Sequence, residues 1–205
     1  CVFLNSGSSA NLVLMQSLYN LGRIKKNDYV AFSAISWPTN VSPIIQVGLN
    51  TIPVDVELQT LNASSKKLNE VLKKFPVKLF FITNLLGFCD DIDKIREVCK
   101  GNKIILIEDN CESLGTVYKG EKLGNYGLAS TSSFFVGHHM STIEGGAVCT
   151  DDEELWIMLN MVRAHGWDRN LPDKNQRMLR SKFKVSSSFY AKYTFYELAY
   201  NLRPM

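Results

Sequence analysis

Two short runs in this chain contain no polar residue at all, Leu79-Phe-Phe-Ile82 and Ile104-Ile-Leu-Ile107. Four apolar residues without alternation suit a strand covered on both faces, the condition of parallel strands flanked by helices. That requirement selects an α/β architecture, and the rest of the chain agrees with it. Tyr29-Val-Ala-Phe32 and Thr51-Ile-Pro-Val54 read as further strands. Helical patterns lie between them. Leu12, Met15, Leu18 and Leu21 fall on or near one face and stop at Gly22. A helix is expected near Pro38, with Pro43 in its first turns, and a short one over Lys66 to Lys74. Another starts at Asp90-Asp91 and ends at Gly101; a last one opens at Asp151-Asp-Glu-Glu154 and runs through Arg163, with Gly166 as its cap. The expectation is an α/β domain with a mostly parallel central sheet and helices on both faces. From Leu171 to Met205 the chain is polar and then aromatic (Phe189, Tyr190, Tyr193, Phe195, Tyr196, Tyr200), and no element is assigned there.

Composition removes several function classes. The net charge is +3 and the basic residues are scattered, so nucleic acid is not an expected partner. No apolar run approaches a membrane span and none reads as a signal peptide, so neither a leader nor a membrane partner is expected. Five cysteines, Cys1, Cys89, Cys99, Cys111 and Cys149, are odd in number and widely spaced, with no CxxC. The reading is five reduced thiols in a cytoplasmic protein, without a disulfide framework or a zinc knuckle. The chain begins at Cys1 without an initiator Met and stops at Met205 without a tapering tail, which reads as part of a longer protein.

The chemistry-bearing residues gather at element ends. Asn5-Ser-Gly-Ser-Ser precedes the first helix, where free N–H groups and the helix dipole would hold a phosphate; a plain serine cap is the alternative. Trp37 follows a strand, and Asp109 follows Ile104-Ile-Leu-Ile107 directly. A carboxylate there is either a turn former or a site residue. His138 and His139 lie on a loop between a strand ending at Phe134-Phe135 and a strand Ala147-Val148-Cys149, with Glu144-Gly145-Gly146 as a flexible turn. Histidine titrates nearest neutral pH, so His138 is a candidate acid–base group. A metal site at the histidine pair is disfavoured, since adjacent residues rarely point at one ion and no further ligand is suitably spaced. Open α/β sheets bind ligands at the carboxyl ends of their strands, where all four of these features are expected.

Together these residues resemble the DegT/DnrJ/StrS family of sugar aminotransferases, which use pyridoxal phosphate on the fold type I architecture. The resemblance covers nearly the whole chain. It implies a partial cofactor-binding large domain over residues 1–205, with an N-terminal segment and a C-terminal small domain missing. It also implies Gly7 and Ser8 on the cofactor phosphate, Trp37 stacked on the pyridine ring and Asp109 paired with the ring nitrogen. Glu112 would sit near the ring hydroxyl and Ser133 on the phosphate. Asn201 would reach the partner subunit's cofactor in a homodimer with shared active sites.

The departure from the family lies at position 138, where a lysine would stand. No lysine occurs between Lys122 and Lys174. An imidazole is not a primary amine and cannot tether pyridoxal phosphate, but it can move protons. The substitution resembles a lysine-less subgroup, the 3-dehydratases of nucleotide-linked 4-keto-6-deoxyhexoses. One branch carries an iron–sulfur cluster; the branch acting on GDP-4-keto-6-deoxymannose does not. No cysteine follows Cys149, which favours the cluster-free branch, with pyridoxamine phosphate regenerated from glutamate. The other readings are a nucleotide-sugar aminotransferase and a non-enzymatic member that kept the pocket.

Overall fold

The structure, a computed structural model, describes residues 1–185 and 191–204. Its elements are β1 (Val2–Leu4), α1 (Gly7–Asn20), β2 (Tyr29–Ser33), α2 (Ser42–Gln46), β3 (Asn50–Val54), α3 (Ser65–Leu72), β4 (Val77–Thr83), α4 (Ile92–Gly101), β5 (Ile105–Asp109), β6 (Val117–Tyr118), β7 (Glu121–Lys122), β8 (Ala129–Ser133), β9 (Gly146–Cys149), α5 (Glu153–Arg163) and α6 (Asp173–Lys182). Seven strands form one sheet in the order β1-β9-β8-β5-β4-β2-β3. β3, β2, β4, β5 and β8 run parallel, and β9 and β1 close the far edge antiparallel.

The two apolar runs became β4 and β5 at the centre, for the reason expected. Leu79 and Phe81 enter a core with α1, α2 and α5 on one face of the sheet, while Phe80 and Ile82 enter a second core with α3 and α4 on the other. Both phenylalanines are fully buried. Each contributes on the order of 1.5–3 kcal/mol by leaving water. Helices therefore cover both faces of a mostly parallel sheet. Among the described residues no helix is long and apolar enough to cross a membrane.

Several expectations shift. The helix expected near Pro38 is a 3₁₀ turn, Pro38–Asn40, followed by α2 with Pro43 in its first turn. β8 ends at Ser133 rather than at Phe134-Phe135, because Phe134 turns to bond Gly145 and Thr142 and closes a loop. Glycine at 145 and 146 answers a need for space rather than for left-handed backbone. The left-handed residue of that turn is Ile143, at φ 69°, whereas a Cβ on Gly146 would lie 2.2 Å from the Ser6 carbonyl. α5 is capped by Ala164, not by Gly166; His165 and Gly166 follow in left-handed conformations at φ 61° and 75°. β1, the β6–β7 hairpin and α6 have no counterpart among the expected elements, because each is too short or too polar to show a period. Phe189 and Tyr190 of the aromatic tail lie outside the described residues.

The cysteine expectation is corrected. Cys1 and Cys149 form a disulfide across 148 residues of sequence. The register that pairs Val2 with Val148 sets the two side by side on adjacent strands, a proximity no local spacing rule can register. Cys89, Cys99 and Cys111 are free.

Glu108 is fully buried within β5. Its carboxylate accepts from the N–H groups of Gly124 (2.7 Å), Tyr126 (2.8 Å) and Gly127 (2.8 Å) and from the Asn84 amide (3.2 Å). Burial pushes its pKa up, and the N–H groups of Gly124, Gly127 and Tyr126, with the Asn110 side chain, oppose the rise. The carboxylate thereby anchors the segment leading into β8. Glu108→Ala strands three backbone donors at roughly 1–3 kcal/mol each. We expect a loss of about 3 kcal/mol or more, read as a lower urea midpoint at unchanged m value.

Candidate active site

β1 delivers the chain to Ser6, which caps α1 by accepting from Ser9 N–H at 3.1 Å. The first intrahelical bond runs from Ala10 N–H to the Ser6 carbonyl. The N–H groups of Gly7 and Ser8 precede it and have no carbonyl of the helix to bond, which leaves this turn suited to an anion. Its neighbours are close. A Cβ on Gly7 would meet the Ser133 Cβ at 2.5 Å, so glycine at 7 and 146 lets the turn settle against β8 and β9. This cradle brings the Ser133 hydroxyl beside the same N–H groups, a donor set suited to a phosphate.

Asp109 ends β5 and is almost wholly buried. Its Oδ2 accepts from Asn40 Nδ2 at 2.6 Å and Asn11 Nδ2 at 3.2 Å, and its Oδ1 accepts from Cys111 N–H at 3.0 Å. Trp37 opens the 3₁₀ turn that carries Asn40 and is 72% exposed, so it is not a core tryptophan. Glu112 accepts from Leu86 N–H at 2.8 Å and steadies a residue held left-handed at φ 56°. His138 sits on the loop after β8, its N–H bonded to the Phe135 carbonyl at 3.0 Å and its imidazole edge-on to the Phe135 ring.

These groups line one cavity of about 1060 Å³ at the carboxyl ends of the parallel strands. Gly7, Ser8, Trp37, Asp109, Glu112, Ser133 and His138 all face it, as do His139, Cys111, Thr83 and Glu144. No lysine is among its lining residues. Asn201 lies apart: it is exposed, bridges to Ala164, and accepts from Arg203 Nε at 2.9 Å. Sequence reasoning missed Asn11 and Asn40. Neither stands in a recognisable pattern, and only the fold brings them to a carboxylate 98 and 69 residues away. Among the described residues no group of three or more His, Cys, Asp or Glu is placed to hold a metal ion.

Residues 1–199 match the DegT/DnrJ/EryC1/StrS aminotransferase family. The chain belongs to that family. A GDP-4-keto-6-deoxy-D-mannose 3-dehydratase of Yersinia pseudotuberculosis is 40% identical over all of this chain and 51% of its own length. Two crystal structures of GDP-4-keto-6-deoxymannose-3-dehydratase superpose closely. One holds a trapped PLP-glutamate geminal diamine (TM-score 0.90, 39% identity, 99% of this chain and 52% of that one). The other is a histidine-to-asparagine variant with bound GDP-perosamine (TM-score 0.88, 38% identity, 99% and 52%). The chain thus spans about half the length of the relatives it matches. The sheet of this DegT-family chain is that of the pyridoxal-phosphate fold type I proteins it superposes on.

The cavity is acidic around Cys111. Burial pushes the Cys111 thiol up most, and the charges of Asp109 and Glu112 push it further. Cys89 is pushed up to about 11, also chiefly by burial. Only thiolates alkylate readily. The rate of iodoacetamide modification of Cys111 should therefore stay low at neutral pH and still be climbing at pH 10, as followed by peptide mass analysis. A plateau near pH 8 would contradict this electrostatic picture.

Proposed function

We propose that this protein is a pyridoxal/pyridoxamine phosphate-dependent 3-dehydratase of a nucleotide-linked 4-keto-6-deoxyhexose, of the kind used in deoxysugar and lipopolysaccharide biosynthesis. One observation carries the reading. His138 shares a cavity with Asp109, the Gly7–Ser8 turn and Trp37, and no lysine lines that cavity. The residues fit the cofactor. Gly7, Ser8 and Ser133 would hold its phosphate, Trp37 would cover one face of its ring, Asp109 would pair with the ring nitrogen, and Glu112 would lie near the ring hydroxyl. When bound, the cofactor supplies an electron sink, and a ring nitrogen kept protonated by an adjacent carboxylate strengthens it.

The chain's own residues do the rest. The helix N-terminus orients the cofactor through its anion. His138 takes and returns a proton, and having no primary amine it forms no covalent link. Loss of the sugar C3 hydroxyl as water, followed by hydrolysis that releases the nitrogen at C4 as ammonia, would then leave a 3-deoxy-4-keto product. Glutamate is the expected amino donor that restores the amine form, and no iron is expected, since the stretch from Thr150 to Gln176, where the cluster-bearing branch would group its ligands, has no cysteine. Asn201 is exposed and is not among the residues lining the cavity, which supports a homodimer in which it serves the partner subunit's site. The exposed Tyr193 and Phe195 of the tail suit the same interface. The free thiols of Cys89, Cys99 and Cys111 fit a cytoplasmic setting.

The reading is tested by incubating the protein with GDP-4-keto-6-deoxymannose, pyridoxal phosphate and glutamate, and weighing the products. A 3-deoxy sugar formed without a reductase supports it; a 4-amino sugar indicates the aminotransferase reading instead. His138→Ala should lower turnover by ~10²–10⁴-fold, the usual contribution of a positioned acid–base group, while cofactor binding persists. Borohydride should leave no cofactor mass on the wild-type peptide carrying His138, whereas His138→Lys should gain one. An adduct on the wild-type peptide would overturn the assignment. Light scattering should give a dimer.

A further inference from the structure

We infer that Asn40 and Asn11 are positioning residues for Asp109, which orient its carboxylate and reserve Oδ1 for the cofactor's ring nitrogen; the inference rests on the cofactor reading above. Both amides are buried, with Asn40 0% and Asn11 1% exposed. An ionised carboxylate offers about four acceptor sites. Oδ2 takes Asn40 at 2.6 Å and Asn11 at 3.2 Å, which fills it, and Oδ1 takes one backbone donor, Cys111 N–H at 3.0 Å. The remaining acceptor site is therefore on Oδ1, in a residue that lines the cavity.

The orientation of each amide is set by a second contact. Asn40 Oδ1 accepts from Trp37 N–H at 3.2 Å, so its NH₂ edge must face Asp109. Asn11 Nδ2 also reaches the Thr39 carbonyl at 3.3 Å. The two asparagines thus lock the turn that carries Trp37 to the end of β5. The groups proposed to cover the cofactor ring and to pair with its nitrogen are held as one unit.

The residue type matters as well as the position. Asparagine donates without carrying charge. A lysine or arginine at either place would orient Asp109 equally well but would neutralise it, leaving little attraction for a protonated ring. Asn11 bears a cost for its place, because its own Oδ1 is buried without a partner. An apolar side chain on α1, like its buried neighbours Ala10 and Val13, would avoid that cost but would leave Oδ2 with a single donor.

The test uses the intact protein loaded with pyridoxal phosphate labelled with ¹⁵N in the ring. The ring ¹⁵N shift and the dissociation constant by fluorescence titration are compared for wild type, Asn40→Asp and Asn11→Ala, alongside melting temperatures. Asn40→Asp sets a second carboxylate against Oδ2. Two carboxylates so close share a proton, which leaves one negative charge spread over both and makes Asp109 for part of the time a neutral carboxyl facing the ring nitrogen. The ring signal should then move toward that of an unprotonated pyridine, and affinity should fall by roughly tenfold or more, as for a lost hydrogen bond to a charged group. Asn11→Ala should move both readouts the same way by less. A merely structural role would lower the melting temperature and leave the ring signal where it was. Folded variants with the wild-type ring signal overturn the inference; if Asn40→Asp does not fold, Asn11→Ala decides by the same criterion. Wild-type protein that binds no pyridoxal phosphate overturns the cofactor reading, and this inference with it, before any substitution is made.

Discussion

The carboxylates of Glu108 and Asp109 leave β5 on opposite faces, because successive residues of a strand point to opposite sides of a sheet. The same alternation sends Ile107 into the core beneath α1 and α5 and Leu106 into the core beneath α3 and α4. Glu108 is thereby committed to structure. It gathers the N–H groups of Gly124, Tyr126 and Gly127 and so delivers the chain into β8. Asp109 is left to face the cavity. One step along the strand separates a carboxylate that builds the site from one that would act in it.

The parallel strands make the convergence possible. β2, β4, β5 and β8 all end at the same edge of the sheet, so the 37–40 turn, Thr83, Asp109 and Ser133 arrive there from distant parts of the chain. The N-terminus of α1 reaches that edge only because glycine stands at 7 and 146. Side chains there would strike Ser133 and the Ser6 carbonyl. Close packing, a helix N-terminus with free N–H groups and a buried carboxylate are thus consequences of one topology. A loop bearing His138 but no lysine then closes over it.

Much of this was legible beforehand. The apolar runs of β4 and β5, the serine cap of α1 and the position of Asp109 after a buried strand each rest on local patterns of a few residues. The motif order carried the family, and seven of the eight expected site residues meet in one cavity. The misses have physical causes as well. Three-residue β1 and the small β6–β7 hairpin have no period to detect, and α6 is too polar to show one.

The sequence alone determined the alternation of strands and helices, the absence of a lysine near position 138 and the residue types that a pyridoxal phosphate site requires, because those are properties of short segments and of composition. Tertiary structure decided which groups meet. It set Cys1 against Cys149 through the register of β1 on β9. It turned Asn11 and Asn40 toward Asp109, and it left Asn201 outside the cavity it was expected to serve in another subunit. Contacts between residues far apart in the chain depend on strand order and on how closely backbones approach, and no local pattern of side chains encodes either.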